Sequence, residues 1–465
     1  MFAQHKRASA PLRPGASIQW FSGAQWRGAG QDIAWVLARQ AWRCTFTCGM
    51  ERPAKSCVPQ GRARDLIKSR EFRRLWALGG IANTMRWVEM LAAALFTYDV
   101  TGSGIAVAFV SAARTLPLLF LGAVAGVVCE AINRKHILLG GMLLSCAAGL
   151  SICLLDLLGW ARPWHIALAA FLSGSVWATE MATRRRMVGE SAGPGLVSQA
   201  VALDSLTNAF ARMAGPLVGS MLFAWLGLLG AFAISSGCYL LGALLVPGIR
   251  YAQETRRIKF SQIPGDLADS LGFALRNPTV LTVLGVTATM NFFAFSYIAL
   301  IAPLARTVFG VPDALVGLLA AGEPLGGLLG GLLLASRAPK SGLRALMIAG
   351  SALFLLALSA MPLMLDYALA CGVLLGGGLG LALFSNMQTT LVLASVPSNL
   401  RSRQMGLVTM CIGLGPLGQM LIGVLGEMFG PMRAVIITSF AGLVALVLIS
   451  LLCMRSPARS RGALD

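Results

Sequence analysis

Residues 126–136 read GVVCEAINRKH: a glycine, then one acid (Glu130), then Asn133, Arg134, Lys135 and His136. Apolar runs of about twenty residues flank this charged island on both sides, and about twenty helical residues cross a hydrocarbon core. An island this short between two such runs is the loop of a chain that crosses a membrane and turns back.

Composition agrees. Apolar residues make up 56 % of the 465 and charged residues 12 %, about half the usual charged fraction of a soluble domain (~25 %). The 38 Lys and Arg against 19 Asp and Glu give +19, but the excess is concentrated. Fourteen basic residues lie in 1–74 and most of the rest in short gaps between apolar runs. That placement is a membrane-topology signal rather than a nucleic-acid-binding face.

Twelve apolar segments are long enough to span: 75–97, 105–128, 137–158, 163–183, 200–222, 225–247, 279–303, 313–335, 343–364, 368–393, 405–427 and 432–454, numbered here spans 1 to 12. The boundary between spans 5 and 6 carries no charge and is the least marked. An even count puts both termini on one side. The gaps after spans 2, 4, 6, 8 and 10 hold fifteen basic residues, and the other gaps hold three, Arg162, Arg306 and Arg433. By the positive-inside rule both termini are cytoplasmic, which places a multi-pass chain in the cytoplasmic (inner) membrane.

The longest interior connection, 248–278, divides the spans six and six. The expected fold is therefore an all-α membrane protein of twelve helices in two pseudo-symmetric six-helix bundles. The expected domains are a cytoplasmic extension (1–70), a first bundle (71–247), the cytoplasmic connection (248–278), a second bundle (279–454) and a tail (455–465). Internal echoes accompany the count: GPLVGS (215–220) in span 5 against GPLGQM (415–420) in span 11, and GAVAGVV (122–128) in span 2 against GGLLGGL (326–332) in span 8. Small residues at such spacing also let helices approach closely, so packing alone could produce both matches. Residues 1–49 hold four tryptophans and no spanning run, and Met50 opens a short basic leader. We expect translation to begin there or nearby.

GVVCEAINRKHILL resembles the loop between spans 2 and 3 of the major facilitator superfamily, roughly G-x-(L/V)-A-D-R-x-G-R-(R/K). Gly126 matches the glycine, Glu130 stands for the acid, and Arg134 and Lys135 match the basic pair; Cys129 and Ala131 depart from the usual Ala and Arg. ARMAGPLVGS is similar to the GP-x-x-G-G motif of the antiporter branch through Gly215, Pro216 and Gly219, with Ser220 in the last place. VTGSGIAVAFVSAARTLP (100–117), TRRRMVGE (183–190) and AVALDSLTNAFARMAGP (200–216) resemble the drug and siderophore exporter branch, the enterobactin-exporter group. The resemblance implies proton-coupled export of a small organic molecule by alternating access, with Gly126, Glu130, Arg134, Lys135, Arg184 and Arg185 as a conformational latch.

Charges inside the spans point to the pathway. Arg86 and Glu89 lie three apart on one helix face, with Asn83 a turn earlier. Arg86 is about 16 Å from either end of span 1 at 1.5 Å per residue. Arg114, Arg212 and Glu323 lie at similar depth. A central charge costs roughly 2.5–3.5 kcal/mol on insertion scales, so such residues face a cavity or a partner. Two readings stay open. In one, Arg86 pairs with Glu89, and Arg114 or Arg212 pairs with Glu323, as fixed struts. In the other, some of them line the pathway and bind substrate or proton. Of the two deep carboxylates Glu89 ranks first as proton carrier and Glu323 second; Glu180 lies near a cytoplasmic end with Arg184 as its local partner. Three deep arginines against two deep acids suit an anionic substrate.

Other classes lack their residues. No GxxxxGK[ST] loop is present, and no nucleophile, base or metal-ligand cluster marks an enzyme, so no cofactor and no metal are expected. The expected partners are a small molecule, protons and the bilayer, with no nucleic acid, and the protein is expected to be a monomer. Proton-coupled uptake and a polytopic scaffold or sensor remain the alternatives.

Overall fold

A computed structural model describes residues 63–192, 196–249, 263–336, 341–397 and 400–454, all within the unit 59–465. Most of the N-terminal extension, the middle of the 248–278 connection and the tail from 455 lie outside the described residues. Among the described residues every regular element is helical.

Span 1 is the 32-residue helix Arg70–Thr101, followed by Gly104–Ala131, Arg134–Leu157 and Pro163–Ser191 for spans 2 to 4. Spans 5 and 6 form one 49-residue stretch, Val197–Leu245. After the amphipathic helix Ile263–Arg276 come span 7 (Pro278–Thr307), Asp313–Ser336, Leu343–Ala360, Tyr367–Ser395, span 11 (Arg401–Ile412 with Gly415–Phe429) and Pro431–Met454.

Ten of these stretches are long and apolar enough to cross a membrane, and two features bring that number into line with twelve. Val197–Leu245 would be about 74 Å long at 1.5 Å per residue, more than twice a ~30 Å core. It breaks at Gly227, whose φ of 66° is open to glycine at no steric cost. That break is the uncharged boundary between spans 5 and 6. Arg70–Thr101 is the other case. It carries Asn83, Arg86 and Glu89, which lower its apolar character, and all three are at most 6 % exposed. The helix turns its polar residues into the protein, not toward lipid. Outward faces are apolar: Phe120, Leu157, Leu244 and Leu452 are each 65 % exposed or more.

The two halves pack alike. Span 5 lies on span 1 through Gly215 and Gly219, where an added methyl would sit 3.0 Å from the Thr84 carbonyl and 2.8 Å from that of Val88. Span 11 lies on span 7 at Gly418, against the Phe292 backbone. Span 4 touches span 2 through Gly174 at the Arg114 carbonyl, and span 10 touches span 8 through Gly378 at the Glu323 carbonyl. Arg114 and Glu323 each stand ten residues into their helix, at matching places in the two bundles. Close approach of backbones at small residues is the expected packing mode where lipid supplies no hydrophobic drive between helices.

Candidate functional site

Six charged side chains meet inside the first bundle, each between 3 and 6 % exposed: Arg86, Glu89, Arg114, Glu180, Arg184 and Asp204. Arg86 does not pair with Glu89. Its Nη2 donates to Glu180 Oε2 of span 4 at 2.5 Å, and its Nη1 donates to Asn83 Oδ1 at 2.7 Å. Glu89 instead takes Arg114 of span 2 at 3.3 Å and accepts from Ser235 Oγ of span 6 at 2.6 Å. Arg86 and Glu89 share a face, but each turns to a different neighbouring helix, where a second charge awaits it. Glu180 lies within ion-pair reach of Arg184 at 3.4 Å, and Arg184 bonds Asp204 of span 5. The local Glu180–Arg184 pair expected from spacing is present, as one link of a longer chain.

Three guanidinium groups against three carboxylates leave this interior neutral. Such a network costs desolvation, and removing any one partner strands a buried charge. Sequence inspection missed Ser235, the pairing of Asp204 with Arg184 and the further partner of Glu180. The signal was present in the alternation of acid and base along spans 1, 4 and 5, but helix-to-helix adjacency decides which pair forms.

In the second bundle, Glu323 of span 8 is the one charged side chain that is fully buried among the described residues, at 1 % exposure. Its Oε1 accepts from Arg212 of span 5 at 2.8 Å, so this pair crosses between the bundles. Its Oε2 accepts from the Tyr297 hydroxyl at 3.1 Å. Of the two struts open in the sequence, Arg212–Glu323 forms and Arg114–Glu323 does not.

Between the bundles lies a cavity of about 550 Å³. Span 1 contributes Asn83, Arg86, Trp87 and Met90 to its wall, and spans 4 and 5 contribute Trp177, Arg184, Asp204 and Arg212. The second bundle contributes Asn291, Phe295, Ile298, Ser385 and Gln419. A smaller cavity of about 290 Å³ reaches Glu323 and shares Arg212, Asn291 and Phe295 with the first. The backbone there is irregular: span 7 runs through a π-helical turn at Met290–Ala294 and a 3-10 stretch at Phe295–Leu300 before resuming as an α-helix. π turns of this kind gather at functional sites. Tryptophan faces back the arginines, with Arg86 5.2 Å from the Trp177 ring centre and Arg212 5.4 Å from that of Trp87.

Among the described residues, five polar contacts join the bundles. Arg212–Glu323 and Thr115–Gln419 (3.0 Å) lie near mid-span. Ser220 to the Ala314 carbonyl (3.1 Å), Ser103 to Glu427 (2.9 Å) and Arg306 to Asp99 lie toward the end that carries loops 1–2, 7–8 and 11–12. Arg306 also holds Asp313 of its own bundle at 2.6 Å. The cavity wall, by contrast, runs toward the other end, the one with the basic loops, as far as Arg184 and Asp204. In the GP motif, Gly215 and Gly219 face span 1 while the Pro216 carbonyl and Ser220 meet Gly317 of span 8. The motif is a packing joint between the halves.

At the opening hairpin, Arg134 is buried and pairs with Glu190 at the end of span 4 at 3.1 Å, and Lys135 Nζ donates to the Pro247 carbonyl at 2.8 Å. Glu190 also pairs with Arg186 at 3.0 Å. The surroundings of Gly126 and the side chains of Glu130 and Arg185 lie outside what the structure describes. Arg184 is taken up by the buried network.

A family model described as transmembrane secretion effector, of the major facilitator type, matches residues 66–462. The chain is 25 % identical over 346 residues to the multidrug efflux pump Tap of Mycolicibacterium fortuitum, covering 71 % of this chain and 82 % of that one. It is 30 % identical over 269 residues to the transcription regulatory protein OpdE of Pseudomonas aeruginosa, covering 57 % and 60 %. Its fold matches a solved bacterial homologue of the human lysosomal transporter Spinster, in an inward-facing and unoccupied conformation. The TM-score is 0.67 at 15 % identity, over 83 % of this chain and 96 % of that one.

Proposed function

The chain belongs to the transmembrane secretion effector family of the major facilitator superfamily, a membrane transporter, and we propose that it exports a small organic molecule, coupled to protons, by alternating access. The observation that carries this reading is the ~550 Å³ cavity between the bundles, with buried ionisable side chains in its wall and inter-bundle bridges at one end of it. A cavity at the bundle interface, bridged at one end, is what rocking of two halves around a fixed site requires. On the cytoplasmic assignment of the basic loops, this is an inward-facing arrangement.

Export rather than uptake draws on the efflux pump among the relatives and on the GP joint in span 5. Glu89 is the first choice for the coupling proton and Glu323 the second. Carboxylates inside membrane spans mark proton relays in pumps and transporters. Gly126, Glu130, Arg134, Lys135, Arg184 and Arg185 form the proposed latch at the basic end. The Arg134–Glu190 pair, between spans 3 and 4 of the first bundle, anchors the hairpin at that end. The protein is proposed to act as a monomer, in the inner membrane with cytoplasmic termini.

The similarity to a transcription regulatory protein supports one second reading, a polytopic sensor that carries no flux. Proton movement in inside-out vesicles separates the two, measured for wild type beside Glu89→Gln across dyes, drugs and organic acids. A pH change driven by one compound and lost in the variant supports the transporter with Glu89 as its coupling residue. A change that survives moves the role to Glu323. No change with any compound favours the sensor.

A further inference from the structure

Every charged side chain that the two cavities reach is already matched. Among the described residues, Arg86, Arg114, Arg184 and Arg212 line the larger cavity with one carboxylate, Asp204, and Glu323 lines the smaller. Glu89 and Glu180 stand behind the arginines they hold. Four guanidinium groups thus balance four carboxylates, and each is joined to at least one of the opposite kind. The count of three deep arginines to two deep acids, which suits an anion, is completed to neutrality by Arg184, Glu180 and Asp204.

The wall is neutral in sum but not featureless. Arginine N–H groups face the larger cavity while most of their acids lie behind, so its lining is rich in donors. Arg212 is the most open of the four, its side chain 30 % exposed against 4 to 7 % for the rest. It holds Glu323 through Nη2, and its Nε has no hydrogen-bond partner. Trp87 lies beside it, and Phe295 of the second bundle lines both spaces. The remaining polar groups from that bundle are uncharged. Asn291 gives its amide N–H to the Thr287 carbonyl, and Gln419 accepts from Thr115, which leaves a carbonyl on one and N–H groups on the other.

We propose that the transported species is an uncharged, flat aromatic molecule bearing an acceptor oxygen, with that oxygen on the Arg212 guanidinium and its rings against Trp87 and Phe295. This rests on the export reading above and names its cargo. A carbonyl, ether or nitro oxygen can accept from Arg212 while Nη2 stays on Glu323. An anion there would set two negative groups on one guanidinium. A cation would pass four guanidinium groups to reach Asp204, which Arg184 already holds. Water screens such an imbalance while the cavity is open. Once the bundles close over it, the excess charge is buried without a partner and is heavily penalised. An uncharged cargo leaves every pair intact. It also carries no charge of its own across the membrane potential, so the potential and the pH difference both drive protons inward in exchange for it.

Isothermal titration calorimetry of the purified full chain in detergent at pH 7.5 tests this. The probes are 2-naphthamide, 2-naphthoate and N-methylquinolinium, alike in size and differing in charge. Naphthamide is expected to bind wild type ~10-fold or more tightly than either charged probe. Glu323→Gln leaves Arg212 without its counter-charge, and naphthoate binding is expected to gain ~10-fold while naphthamide changes little. Adding Arg212→Gln to that variant restores neutrality, and the gain for naphthoate should vanish. The wild-type order of the probes is decisive by itself, whether or not the variants fold. A charged probe that binds wild type as well as naphthamide, or better, overturns the proposal and leaves the transporter standing. A folded Glu323→Gln protein with no gain for naphthoate overturns the charge matching on which it depends. No binding of any probe to wild type overturns it as well, and the transporter reading then stands or falls on the vesicle measurement above.

Discussion

The two bundles share a packing plan and differ in what they bury. The first holds a neutral network of six charged side chains on helices that run regularly past the cavity. Among the described residues the second holds one buried carboxylate, and it meets the cavity with broken helices, the π and 3-10 turns of span 7 and the interruption at Gly413 and Leu414 of span 11. Away from its surface its other buried side-chain contacts among the described residues are uncharged, such as Gln388 to Thr287 Oγ1 at 2.6 Å and Asn291 to the Thr287 carbonyl at 2.9 Å. One framework thus supports two materials. An ion-paired bundle has few arrangements that leave no charge stranded. A bundle with irregular backbone and neutral polar groups has several that satisfy its hydrogen bonds.

This contrast can be broken by substitution. The largest effect is expected from Arg114→Ala, which strands Glu89 and should lower stability by about 3–5 kcal/mol, read as thermal unfolding in detergent. Gln388→Leu, a neutral counterpart in the second bundle, should cost about 0.5–1.5 kcal/mol, one hydrogen bond, because the Thr287 hydroxyl still donates to the Val283 carbonyl. Equal losses in the two bundles would dissolve the distinction.

Packing gives the next test. Gly219→Ala places a methyl 2.8 Å from the Val88 carbonyl, and a backbone atom cannot step aside as a side chain can. The expected loss is about 1–3 kcal/mol, and Gly418→Ala, its equivalent on Phe292 in the other half, should behave alike. Gly331→Ala, with open space around it, should be neutral or slightly stabilising, because alanine is the better helix former. Divergence of the two joint variants would argue against equivalent packing of spans 5 and 11.

Arg306→Ala should change stability least, by about 0–1 kcal/mol, since Asp99 is 45 % exposed and water screens the pair. Its effect belongs on the conformational balance. Labelling of a cysteine placed in the cavity at Ser205 by an impermeant reagent, added from the end with loop 1–2, should rise, because the bridge that closes that end is gone.

How much of this was legible in the sequence follows from the kind of information each feature needs. The spans, the hairpin and the six-plus-six division are set by hydrophobic length and by loop charge, and both are local. Span 1 was placed by its apolar flanks although Arg86 and Glu89 dilute it. The deep residues were identifiable because a charge amid apolar neighbours must face something. Their partners were not. Pairing of Arg86 with Glu180 and of Glu89 with Arg114 depends on which helices adjoin and how each is rotated, and spacing along one helix says nothing of that. The inter-bundle strut was narrowed to two arginines, and only the three-dimensional arrangement selects Arg212. The π turn in span 7 had no readable signal, since MNFFAFSYIAL looks like any apolar run.

The central claim is that the two bundles rock about the cavity to move a substrate. A cysteine pair at Asp99→Cys and Arg306→Cys, in a background free of the ten native cysteines, would lock the bridged end under oxidation. Efflux of a fluorescent substrate from loaded vesicles should stop on oxidation and return on reduction. Efflux that continues at full rate with the pair cross-linked would contradict alternating access through this cavity.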